Sequence, residues 1–206
     1  MRHLHEPMAP TLTKLVKEIQ ACELCKKHLP RGPHPIFRVG HRASILLVGQ
    51  APGAKVHASG IPWDDASGNV LREWLQLTSE TFYDQNHVAL MPMGFCYPGK
   101  GHSGDLPPRS ECAPLWHPPL LKFLKGRRLT LLIGQYAQSY YLGDRVGRNL
   151  TETVRRFREF LPEYFPLPHP SPRNRPWLHR NPWFEKELIP ELRLLVQKSL
   201  SLTTSK

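Results

Sequence analysis

The sequence predicts an α/β fold, a three-layer α/β/α sandwich with a central four-stranded parallel sheet. Three observations point there. Four short runs are continuously apolar, as strands buried on both faces must be. Segments of helical character lie between those runs, the alternation that builds parallel sheets. Gly- and Pro-rich turns follow the runs, and open parallel sheets bind ligands beyond the carboxyl ends of their strands.

The elements follow in chain order. Residues 12–25 place Leu12, Leu15, Val16 and Ile19 on one helical face. Residues 44–49, SILLVG, read as a buried strand running into a turn. Residues 69–77 read as a helix, and residues 88–93 as the second strand. A polar loop rich in Gly and Pro covers 94–108. Residues 109–124 read as partly helical, with breaks at Pro114 and at Pro118–Pro119, because proline removes a helical donor. Residues 129–133 form the third strand, 135–142 a helix, and 150–160 another helix capped by Asn149 or Thr151. Residues 165–167 form a short fourth strand, and 182–199 a closing helix with Pro182 at its tolerant start.

No internal repeat or low-complexity linker divides the chain. A single domain over 1–206 is expected, with an N-terminal helix and C-x-x-C at 11–25 and a core at 36–200. No apolar run is long enough to cross a bilayer. The first ten residues lack the apolar stretch of a secretory signal. The expected setting is a reducing cytoplasm and the expected state a monomer. Lys and Arg number 28 against 17 Asp and Glu, a formal charge of +11. That excess points to a polyanionic partner, nucleic acid first, or to a merely basic, soluble surface.

Four cysteines, Cys22, Cys25, Cys96 and Cys112, form a C-x-x-C and a pair separated by fifteen residues. Four soft ligands suit Zn or an iron–sulfur cluster. The alternative is four unrelated thiols. A disulfide is disfavoured by the compartment, and no strand precedes the C-x-x-C as a thioredoxin-like redox motif would require.

The turn Gly49-Gln50-Ala51-Pro52-Gly53 follows a strand directly, and its glycines let backbone approach a ligand. It lacks the lysine of a P-loop and the three-glycine dinucleotide pattern. The segment His169-Pro170-Ser171-Pro172-Arg173-Asn174 sets a histidine at a strand end, held off the core by rigid prolines; otherwise the histidine is a structural cap. Between them, Trp63 stands after Pro62 and before Asp64 and Asp65. It stacks on a flat ligand such as a base, or it packs inward. The two carboxylates orient water, read a base, or lie in a solvated turn. Arg173, Arg175, His179 and Arg180 interleave with Trp177 and Trp183, a pattern suited to DNA backbone and unstacked bases. A second cluster, Arg145, Arg148, Arg155, Arg156 and Arg158, reads more simply as a solvated face.

Together these segments resemble the uracil-DNA glycosylase superfamily over roughly residues 22–174. The turn at 49–53 looks like its first motif and His169-Pro170-Ser171 like its second. The cysteine spacing, with Pro107–Pro108 before Cys112, is similar to the iron–sulfur family 4 type. The longer HPSPRN segment resembles the single-strand-selective branch. The resemblance implies a four-stranded parallel sheet between helices and a monofunctional hydrolase without a covalent lysine intermediate. Such an enzyme flips a deaminated base, uracil foremost, out of DNA and leaves an abasic site. It implies a [4Fe–4S] cluster on the four cysteines, with Zn as the alternative.

By resemblance, Gly49, Gln50, Ala51, Pro52 and Gly53 would line the base pocket, with Gln50 also in a catalytic role. Trp63 would stack on the base with Asp64 nearby, and His169 would donate to the departing base. Pro170, Ser171, Pro172, Arg173 and Asn174 would press on DNA containing a damaged base. The chain departs from the pattern at three places. Ala51 stands where some members carry a water-positioning Asp. Gln50 replaces the Glu of family 4, and Pro92 replaces an Asn that reads the uracil edge. The competing readings are a glycosylase-like protein that binds DNA or a modified base without cutting, and a Zn-stabilised nucleic-acid-binding protein with a structural HPS loop.

Overall fold

The computed structural model describes residues 11–102 and 104–201. The reading of the first ten residues lies outside them. Four strands form one sheet: β1 Ile45–Val48, β2 Val88–Leu90, β3 Leu129–Ile133 and β4 Tyr164–Leu167. Their order is β2-β1-β3-β4, and every pair is parallel, with Ile45 level with Val88 and with Leu129. The predicted fold class is the observed one.

The alternation of β1 assigns the two outer layers. Ile45 and Leu47 face a cluster that includes Leu71 and Leu75 of α3 (Ala66–Leu75) and Leu192 and Val196 of α9 (Ile189–Ser201). Leu46 and Val48 face Leu15 and Ile19 of α1 (Leu12–Gln20), Leu120 of α5 (Cys112–Leu121) and Ala137 of α6 (Gln135–Leu142). All four β1 side chains are fully buried. This explains why the strands read as unbroken apolar runs: each residue has a helix layer to meet. No helix among the described residues is long and apolar enough to cross a membrane.

Several helix boundaries differ from expectation. The first helix stops at Gln20, not Cys25, because its apolar stripe ends at Ile19, and the C-x-x-C occupies the turns beyond. α3 begins three residues early, at Ala66, because the Asp65 carboxylate accepts the Gly68 amide and caps it. α5 runs unbroken through Pro118 and Pro119. Its buried residues Ala113, His117 and Leu120 fall at i, i+4 and i+7, so one packed face outweighs the lost backbone donors. The helix at 150–160 divides into α7 (Leu150–Arg155), capped by Asn149, and a 3₁₀ turn Phe157–Phe160. The closing helix opens with a π turn, Phe184–Leu188. Three short helices, α2 (Ala54–Ser59), α4 (Ser79–Tyr83) and α8 (Arg175–Arg180), were too brief to show a period.

One buried polar group ties the lower layer to the sheet edge. His117 is fully buried. Its Nε2 lies 3.0 Å from the Pro92 carbonyl, and its Nδ1 lies 2.8 Å from the Tyr141 hydroxyl. A carbonyl only accepts, so Nε2 carries the proton and Tyr141 donates to Nδ1. Burial pushes the imidazole down to about 4, against a smaller upward pull from the Pro92 carbonyl. The depressed folded value means that stability is fully present above the ordinary histidine value of about 6.5 and is lost as pH falls toward 4. Urea unfolding of the parent should therefore lose on the order of 3 kcal/mol across that window from this residue. His117→Gln should be less stable at neutral pH and flatter below it; an equally steep profile would place the acid sensitivity elsewhere.

Candidate active site

The first turn is built as an extension of the sheet. The Gly49 carbonyl accepts the Met93 amide at 2.9 Å, and the Gln50 carbonyl accepts the Gly94 amide at 3.0 Å. The exits of β1 and β2 are thus bound together past their last paired residues. Gly49, Gln50, Ala51, Pro52 and Gly53 line a recess with Ile36, Pro62, Trp63, Asp65, Pro92 and His169. Among these side chains, Gln50 is the one amide, and Pro92 presents no side-chain donor or acceptor.

Trp63 has φ +60°. A bulky residue in the left-handed region costs about 1–2 kcal/mol, and such strain persists only where the surroundings hold it. Here Gly68 makes the room, since a Cβ there would meet the Trp63 carbonyl. Arg72 Nη1 donates to the same carbonyl at 3.5 Å. On the other side, a Cβ at Gly49 would lie 2.7 Å from Trp63 Cζ2. The indole therefore packs on the turn and the sheet-facing core while still lining the recess. The inward-packing reading of Trp63 holds, and the same ring also lines the recess.

The two adjacent carboxylates separate. Asp64 is exposed and lines neither this recess nor its mouth; its charge acts on Tyr83. Asp65 lines both. One of its oxygens is held by the Gly68 amide at 2.8 Å, which fixes the carboxylate's direction.

His169 leaves β4 on the opposite wall, its ring 5.8 Å from that of Trp63 and tilted by 30°. Gln138 Nε2 donates to the Leu167 carbonyl at 2.8 Å and to the Leu132 carbonyl at 3.3 Å, which secures the exits of β3 and β4. Burial lowers the His169 imidazole below its ordinary value, and the nearby Asp65 charge partly opposes this. The loop braces itself. Asn174 Nδ2 donates to the His169 carbonyl at 2.7 Å, and Ser171 Oγ accepts the Arg173 amide. Pro170 is buried, whereas Pro172 and Arg173 are exposed. Asn174 and Pro170 thus shape the loop from within, and Arg173 is the member that reaches the rim.

Outside the recess lies a wider mouth, lined among others by Asp65, Lys100, Asp105, His169, Ser171 and Arg173. Lys100 and Arg173 form no ion pair among the described residues. The second arginine cluster is different. Arg148 pairs with Glu152, Arg156 with Glu159 and Arg158 with Glu191. Arg145 and Arg155 lie over aromatic rings. Trp177 and Trp183 are half-buried against the core, with their indole N–H groups bonded to Thr151 and Asn181. Lys100, Asp105 and Ile36 escaped sequence reasoning because loop residues carry no period.

The four cysteines line one small cavity, shared with Phe95, Arg109 and Trp116. The Phe95 amide lies 3.4 Å from Cys112 Sγ, and the His34 backbone amide reaches Cys96. Burial pushes Cys96 up to about 11 and Cys112 up to about 12, each opposed by its amide. Burial also raises Cys25, against the hydrogen bond from Arg109. Among the described residues no group of His, Cys, Asp or Glu forms a site for a metal ion.

The family model of the Uracil DNA glycosylase superfamily matches residues 37–193. A solution NMR structure from Methanosarcina acetivorans, provisionally designated a uracil DNA glycosylase, is similar over 78% of this chain and 98% of that one, at 16% identity and a TM-score of 0.43.

The packing of Trp63 on Gly49 makes a direct prediction. Gly49→Ala should displace the indole and cost about 1–3 kcal/mol, the range for overpacking. Gly53→Ala is the control, because its Cβ would meet only Asp105 Oδ2 at 3.3 Å. Thermal melting of the two variants should rank Gly49→Ala clearly lower; equal melting points would mean that Trp63 yields freely.

Proposed function

The chain belongs to the uracil DNA glycosylase superfamily, and from that premise we propose that it is a DNA-repair glycosylase. It draws a deaminated base, most simply uracil, out of DNA, hydrolyses the N-glycosidic bond and leaves an abasic site. The observation that carries this reading is the meeting of Trp63, Gln50, Asp65 and His169 around one recess at the carboxyl edge of the parallel sheet.

Extrusion costs a few kcal/mol of lost stacking and pairing, which the recess must offset. Trp63 supplies a stacking surface already held in place, so little further ordering is needed on binding. Gln50 offers both an amide donor and an acceptor to the base edge. As the C1′–N bond breaks, its electron pair moves onto the base. A neutral His169 N–H at the base oxygen stabilises that charge. The sugar becomes cation-like, and water attacks C1′. Asp65, lining the recess and the mouth, orients that water and accepts its proton, the work that Ala51 cannot do. Lys100 and Arg173 hold the flanking phosphates.

We propose a [4Fe–4S] cluster at the four cysteines, with Zn as the alternative. The donor set is all thiol, which suits either group, and backbone amides already reach two of the sulfurs. Cys22, Cys25, Cys96 and Cys112 would hold it, and its contribution when bound is to tie the turn after α1 to the loop after β2. Protein purified anaerobically should contain about four Fe per chain. Cys112→Ala should lose iron and solubility together. Stoichiometric Zn without iron would contradict the cluster.

The reaction is tested by single-turnover excision from a uracil-bearing oligonucleotide followed by alkali. Asp65→Asn keeps a capping side chain, so melting should barely change, while the rate falls on the order of a hundredfold or more. His169→Ala should fall comparably. Because His169 is depressed by burial, any inflection it gives the parental rate should lie below the ordinary histidine value of about 6.5. Parental rates in both variants would remove their assigned roles. Pro92 on the recess wall favours a second reading, a binder that does not cut, and failure of the parent on every deaminated base would establish it.

A further inference from the structure

A further, open cavity lies on the same edge of the sheet and takes no part in the chemistry above. Met93, beyond β2, forms part of its floor. Tyr136, Ser139 and Tyr140, from the first turns of α6, form one wall. Leu106, Pro107 and Pro108 of the cysteine loop form the other. Leu106 also lines the mouth of the base recess, so this one residue is the ridge between the two spaces.

The ridge is a built feature. The Leu106 amide donates to the Gly99 carbonyl at 2.8 Å, and the Gly101 amide donates to the Gly104 carbonyl. Lys100 pairs across the same small hairpin with Asp105. The Leu106 side chain rests on two glycines: a Cβ at Gly101 would lie 3.1 Å from Leu106 Cδ2, and one at Gly99 3.5 Å from Cδ1. The hairpin therefore fixes Leu106, yet leaves it 43% exposed. Across the cavity Tyr140 is 41% exposed. Edge contacts to Tyr141 at 5.1 Å and His117 at 5.9 Å hold its ring.

Resting on the glycosylase reading, we infer that this third cavity receives the nucleotide next to the extruded one, on the same strand. Leu106 is the wedge between the two bases, and Tyr140 is the surface on which the neighbour stacks. The chemistry matches. An apolar wedge parts a base step, and tyrosine rings stack on any base without reading its identity. Lys100, on the wedge's own hairpin and free of ion pairs among the described residues, is placed for the phosphate that joins the two nucleotides. In a duplex the neighbour must also be unpaired and unstacked, so the arrangement favours single-stranded substrate.

The probes are short single strands with one uracil and a baseless tetrahydrofuran residue immediately on its 5′ or its 3′ side. The parent should show KM raised about tenfold when the neighbour is missing on one of the two sides, the size expected for one lost stacking contact. Tyr140→Ala should bind the complete and the baseless strands alike, and Tyr140→Leu should behave similarly while keeping the bulk of the side chain. A second readout needs no catalysis. With 2-aminopurine as the neighbour, binding should change its fluorescence for the parent and far less for Tyr140→Ala and Leu106→Ser. Excision indifferent to both missing neighbours, or identical fluorescence in all the proteins, overturns the inference. If the parent excises nothing, the glycosylase reading fails, and the fluorescence comparison still decides whether the cavity holds a base.

Discussion

Two hydrogen bonds, from the Met93 amide to the Gly49 carbonyl and from the Gly94 amide to the Gln50 carbonyl, carry the sheet beyond its strands and into the site. They bind the turn that shapes the recess to the loop that carries Cys96. The next amide, Phe95, reaches Cys112 Sγ. One residue earlier, the Pro92 carbonyl is held from the buried layer by His117. Residues 92–96 thus form a spine with the base recess on one side and the cysteine cavity on the other. Disturbance of either flank must reach the other through backbone that has few alternative partners.

The opposite wall follows a different principle. It stores strain rather than extending regular structure. Trp63 sits in a left-handed conformation because Gly68, Gly49 and Arg72 leave it no other place. Asp65 acts at the same point as a helix cap and as a wall of both spaces. In the proposed reaction, a carboxylate and an aromatic ring that are both fixed beforehand would need no reorganisation during bond breaking, which is where a preorganised site gains its effect.

The sequence made the layers legible because burial on both faces forces unbroken apolar strands, and β1, β3 and β4 emerged almost residue for residue. The strand order was not legible, since no residue in ILLV or LTLLI names its neighbour. α5 was misread at Pro118–Pro119 because its packed face, centred on His117, is a tertiary property. Within the site, Gly49–Gly53 and His169 stood out as turns after strands. Asp64 and Asp65 could not be told apart, being adjacent and alike; the deciding fact is the Gly68 amide that turns Asp65 inward. Trp177 and Trp183 read as partners for nucleic acid in the sequence, which could not show that their indole N–H groups bond to Thr151 and Asn181. In the Arg148–Arg158 cluster two ion pairs are local, three or four positions apart, whereas Arg158 reaches Glu191 across 33 positions, beyond local pattern.

The central claim is that these parts together hydrolyse a glycosidic bond. It is tested most directly by mass spectrometry of a uracil-bearing single strand held with excess protein. The account predicts free uracil in equal amount to the strand, and an unbroken strand that has lost one uracil and gained one water. A strand bound by the protein but unchanged in mass, with no free base released, would contradict it.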